Sequence, residues 1–73
     1  MRRYTVLLVP DLEEGGYAVR VPALTGLHTQ GDTYKEAVRN ARDAIAFHLE
    51  CLEAEGEPIP EESAAPRLAT VEI

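Results

Sequence analysis

A chain of 73 residues with 13 acidic and 7 basic side chains, net charge −6, makes one domain at most, and that domain takes in residues 1–73. So short a chain buries only roughly 60% of its unfolded surface, so a lone copy is marginal; Cys51, its single cysteine, excludes a disulfide framework. The acid excess argues against phosphate-backbone binding. No run approaches the roughly 20 apolar residues of a membrane span, and one thiol with no secretory leader points to a soluble cytoplasmic protein with no membrane contact.

Residues 3–10, "RYTVLLVP", have the β-branched and aromatic content of a strand, which Pro10 closes. Tyr4, Val6 and Leu8 fall on one face, and Thr5, Leu7 and Val9 on the other. Apolar groups on both faces predict an interior strand covered on both sides. "DLEEGG", residues 11–16, is a turn, and "YAVRVP", residues 17–22, alternates as the second arm of a hairpin. In "ALTGLHTQG", residues 23–31, a turn at Leu24 to Gly26 precedes a short third strand, Leu27 to Gln30, with Gly26 and Gly31 allowing tight turns around it.

A helix follows. Thr33 is a good N-cap and Glu36 stands three residues on, the pattern of a reciprocal capping box. Ala37, Val38, Ala41, Ile45, Leu49 and Leu52 then form one apolar stripe at helical spacing. Gly56 suits the position after the helix end and Pro58 forbids continuation, so about 22 residues spanning roughly 33 Å are expected. "EPIPEESAAP", residues 57–66, is an acidic, Pro-rich connector, and "RLATVEI", residues 67–73, reads as a closing strand.

The order is β-β-β-α-β, an α+β fold. Connection rules give a mixed four-stranded sheet in the order 3-2-1-4, the last strand parallel to the first and one helix packed on one face. Either Leu7 and Val9 or Val6 and Leu8 must then look away from the helix. The helix should also overhang the sheet, leaving Leu49 and Leu52 short of partners. Uncovered apolar surface of this kind implies protein contact, and a homo-oligomer, a dimer or larger, is the expectation.

No constellation for catalysis, metal or cofactor emerges. His48 and Cys51 share a helix face, but two ligands are too few for zinc, and they read as a half-buried imidazole and a small buried thiol. Asp11, Glu13 and Glu14 suit a turn and Asp32 a helix start, while a metal-dependent nuclease needs an acid mounted on a strand. Ser63 has no histidine near it, the glycines match no phosphate loop, and Arg2 and Arg3 are too few for a nucleic-acid footprint. The six glutamates of "ECLEAEGEPIPEE", residues 50–62, read as a solvated end, or as a steering patch for a basic partner.

Taken together, a tyrosine-led strand ending "VPD", then "EEGGYAVRVPALTGLHTQGDTYKEAVRNARDAIAFHL" and "GEPIP" resemble the N-terminal domain of HicB antitoxins, over about Tyr4 to Pro60. The resemblance implies a partial ribonuclease H-like fold and a role in binding and masking a small basic HicA-type toxin that cleaves messenger RNA. Activity is not implied, since "YTVLLV" carries no acid. Full-length members usually add a DNA-binding module; only seven residues follow Pro66 here, so direct nucleic-acid binding by this chain alone is not expected. On this reading the contact residues are Gly15, Gly16 and Tyr17 in the hairpin, Leu24 and His28 near the third strand, and Phe47 on the helix's outer side. The competing functions are a metal-dependent nuclease using Asp11 or Asp32, and an orphan oligomerising domain.

Overall fold

The computed structural model describes residues 2–73, with strands β1 (Leu7–Pro10), β2 (Tyr17–Arg20) and β3 (His28–Gly31) followed by helix α1 (Tyr34–Ala54). The strands form one antiparallel sheet in the order β1-β2-β3, with Leu8 opposite Val19 and Val19 opposite Thr29. The class is α+β, as expected, but the mixed four-stranded order is not formed within the chain. Residues 67–73 make no strand and are exposed along their whole length. Their alternating pattern supplies strand propensity, but a strand exists only where a neighbour accepts its backbone groups. β2 therefore holds the interior position and β1 lies at an edge.

The edge position fits the ladder. The Asp11 N–H donates to the Gly16 carbonyl at 2.9 Å, so Asp11 opposite Gly16 is a hydrogen-bonded pair. By alternation Val9 and Leu7 bond inward to β2, while the backbone groups of Val6, Leu8 and Pro10 face outward. Pro10, with no N–H to give, occupies the kind of position an edge strand tolerates.

β1 is also shorter than the apolar run predicts. Beyond Arg20 the partner chain turns away, through Leu24 N–H to the Val21 carbonyl (3.0 Å) and Leu27 N–H to the Leu24 carbonyl (3.1 Å). Residues 4 and 5 meet the acidic connector instead. Thr5 donates its N–H (2.7 Å) and its hydroxyl (2.6 Å) to the Glu62 carboxylate, and the Tyr4 hydroxyl donates to the Pro60 carbonyl. The hydrogen bonds from the Thr5 side chain and backbone hold the Glu62 carboxyl below the ordinary glutamate value. A lowered carboxyl pKa contributes stability above the unfolded value and loses it as pH falls through the folded one. Protection of the Thr5 amide from hydrogen exchange is therefore expected to fall on acidification. In Glu62→Gln it should start lower at neutral pH and lose that acid dependence; an unchanged acid profile would remove the clasp from the account.

The helix ends where its local signals say. Thr33 Oγ1 accepts the Glu36 N–H at 3.1 Å, and the Glu36 carboxylate reaches back to the Asp32 N–H at 3.0 Å, one residue before the position a capping box uses. At the other end Gly56 N–H donates to the Glu53 carbonyl and Glu57 N–H to the Leu52 carbonyl, the paired bonds of a Schellman motif, with Gly56 at φ 68. Its 21 residues span about 31 Å. The four-residue strands reach only about 13 Å, so the helix overhangs the sheet.

Ala37 and Ala41 are buried against Val19, with Val6, Leu8 and Tyr17 packed around them. Two alanines at the contact bring helix and sheet very close, and that closeness explains Gly31. The sequence suggests a turn residue there, but Gly31 lies within β3, where a Cβ would fall on the backbone N and Cα of Ala37. A Cβ on Gly16 would stand 2.5 Å from the Gly31 carbonyl oxygen. The β1–β2 turn, β3 and the first turns of α1 are thus stacked backbone on backbone.

Candidate protein-binding surface

With α1 on the Val6–Leu8–Val19 side, Leu7 and Val9 look the other way, settling the alternative left by the sequence. Strand alternation puts Leu7, Val9, Ala18, Arg20, His28 and Gln30 on this open face. Val9 is 51% exposed. A shallow cleft of about 330 Å³ runs between Leu7, Arg20 and His28 and the turn through Pro22 and Leu27. Among the described residues none covers the face, so it offers partly apolar, pre-formed surface on rigid strands.

The six expected contact residues do not share one face. Gly15 and Gly16 form the hairpin turn, where the Asp11 carboxylate accepts the N–H groups of Glu13 and Glu14, both at 3.1 Å. Tyr17 is half-buried with its ring edge-on to Tyr34, centroids 6.2 Å apart. Leu24 is 1% exposed and offers no contact surface. His28 is exposed on the open sheet face. Phe47 is 67% exposed on the helix, seven residues on from Asn40 and therefore on Asn40's flank. His28 and Phe47 thus belong to two separate surfaces.

Several exposed apolar residues escaped the sequence reading as contacts, Val9 and Leu12 among them. Val9 was legible in the two-faced pattern of its strand; Leu12, 94% exposed, is the one apolar side chain in the "DLEEGG" turn. Cys51 is exposed rather than buried, because the helix runs past the end of the sheet. His48 is half-buried. Of the six glutamates, Glu62 belongs to the clasp, Glu61 faces Arg2 at 3.8 Å, and Glu50, Glu53, Glu55 and Glu57 are exposed. Among the described residues no three of His, Cys, Asp and Glu stand close enough to hold a metal ion, and no helix is long and apolar enough to cross a membrane.

Residues 4–71 match the family described as HicB-like antitoxin of bacterial toxin–antitoxin systems. The chain belongs to the HicB-like antitoxin family. A UPF0150 protein of Synechocystis is 49% identical over 59 residues, covering 81% of this chain and 73% of that protein. One from Thermoplasma acidophilum is 47% identical over 62 residues, covering 85% and 88%. Antitoxin HicB 1 of Photorhabdus laumondii is 45% identical over 58 residues, which is 80% of this chain and 37% of that longer protein. The HicB-like match takes in all four elements, the Thr5–Glu62 clasp and most of the 67–73 segment. The open sheet face therefore lies on the domain that defines the family.

Proposed function

We propose that this HicB-like domain acts by stoichiometric binding, docking on a small basic HicA-type messenger-RNA-cleaving toxin in the cytoplasm and masking it without turnover. Family membership supports the antitoxin role, and the uncovered apolar sheet face is the single observation that carries the binding mode. The net charge of −6 favours a basic partner by steering its approach. Partial ribonuclease H-like ancestry is part of this reading, as a scaffold only. The proposed contacts are His28 with its neighbours on the open face, the corner formed by Gly15, Gly16 and Tyr17, and Phe47, with Leu24 supporting from beneath.

Mixing the purified chain with a small basic toxin of the HicA type tests the pairing, and rescue of growth on co-expression tests the function. Exposed aromatic and polar anchors at such interfaces carry about 1.4 kcal/mol or more, a tenfold change in affinity. His28→Ala and Phe47→Ala are each expected to weaken toxin binding by about that factor in titration calorimetry. Unchanged affinity in both variants removes the proposed contact surface, and failure of the unmodified pair to associate removes the masking role.

A further inference from the structure

Two unfinished parts of the molecule complement each other. At the edge of the sheet, the outward backbone groups of Val6 and Leu8 face away from β2. Beneath that edge an open groove of about 760 Å³ separates residues 2–6 from the helix, with Val6, Val38, Ile45 and Leu49 among its walls. Residues 67–73 supply the opposite case, a strand-patterned segment with no edge to join. Leu68 is 88% exposed, Val71 is 77% exposed and Ile73 is fully exposed. The molecule is correspondingly drawn out: its radius of gyration is 13.7 Å and its extents are 44 × 27 × 20 Å, against about 11 Å for a compact domain of this length.

We propose that residues 67–73 of one copy add as a fourth strand to the outer edge of β1 in a second copy, over this groove, and that the second copy returns its own segment. The occupant is another molecule of this chain. Ala65 already lies at the groove, yet no residue beyond it lines the groove, and residues 67–73 are exposed, so their apolar side chains stay in solvent. A Pro-rich connector before such a segment is suited to exchange between copies, which adds an identical element with little strain. The chemistry matches on both faces. In an extended segment Ala69, Val71 and Ile73 share one side, and Leu68, Thr70 and Glu72 the other. The first set meets the Val6 side and the apolar groove. Glu72 then projects to the side on which alternation puts Arg3. Main-chain pairing along an exposed edge supplies the affinity, as in other strand additions, and reciprocal exchange closes the pair with two-fold symmetry. The inference holds whichever partner the open sheet face takes.

Light scattering on the full chain at high micromolar concentration is expected to give the mass of two copies. Val71→Asp with Ile73→Asp is expected to give one copy with an unchanged helical circular-dichroism signal, because neither side chain is packed within a single copy. A dimer that survives this pair of substitutions, or an unmodified chain that is monomeric, overturns the proposal. In a Cys51→Ser background, Val38→Cys on one chain and Val71→Cys on another should oxidise to a disulfide joining the two different chains. If a chain carrying both cysteines closes only on itself, the segment docks on its own molecule and the exchange is wrong.

Discussion

Gly31→Ala is expected to lower the thermal midpoint by roughly 12 to 24 °C. The added methyl falls on the backbone N and Cα of Ala37, atoms that cannot rotate aside as a side chain would. Helix and strand must part locally, which opens the contact of Ala37 and Ala41 with Val19. Overpacking of this kind costs about 3 kcal/mol, and each kcal/mol moves the midpoint of a domain this size by about 4 to 8 °C. Gly26→Ala is the matched control. A methyl there meets nothing within 4 Å, and only the left-handed φ of 86° opposes it, at about 1 to 2 kcal/mol. Melts followed by circular dichroism should therefore place Gly31→Ala well below Gly26→Ala. The stacked-backbone account fails if Gly31→Ala melts within a few degrees of the unmodified chain.

Leu24→Ala is expected to destabilise the domain by about 3 kcal/mol, within the range for emptying a buried leucine site. Leu24 and Val19 are the largest fully buried side chains, and Leu24 sits in a loop, so its loss removes the filling beneath the 21–27 turn. Affinity for a toxin, measured on the folded protein, should stay close to unmodified because Leu24 exposes almost nothing. Phe47→Ala should show the reverse: stability within about 0.5 kcal/mol, as for exposed sites generally, and weaker binding. Urea unfolding alongside calorimetry separates the two cases. A Leu24→Ala chain of normal stability and poor binding would return that residue to the contact surface.

Local chemistry was legible before any coordinates. Thr33 with Glu36, and Gly56 with Pro58, bracket the helix within a residue of its observed bounds, because caps are decided by neighbours in sequence. The hairpin and the role of Asp11 in its turn follow from the same short-range signals, which leave open whether Leu7 and Val9 or Val6 and Leu8 face outward. What escaped depends on distant partners. The Thr5–Glu62 clasp joins residues 57 apart and shortens the ladder that "YTVLLV" alone would extend. The place of Gly31 becomes clear only once Ala37 is against it. Leu24 reads as exposed loop until the turn folds over the core. "RLATVEI" has the alternation of a strand, but propensity cannot say which edge, or whose, will receive it. The candidate surface was the least legible part, since strands and helix carry its residues to different sides.

Asn40 decides how far association through sheet edges can run. Its Nδ2 donates to the Gln30 carbonyl at 2.8 Å, and the ladder alternation that bonds Val19 to Thr29 leaves that carbonyl on the outer side of β3. An incoming strand would have to break this tie from the helix before it could pair there. Unprotected edges on both sides would let copies polymerise into an open-ended fibre. With one side blocked, growth terminates once the β1 side is satisfied. Asn40→Ala should therefore be a soluble chain's route to precipitation on storage, with no loss of helix beforehand.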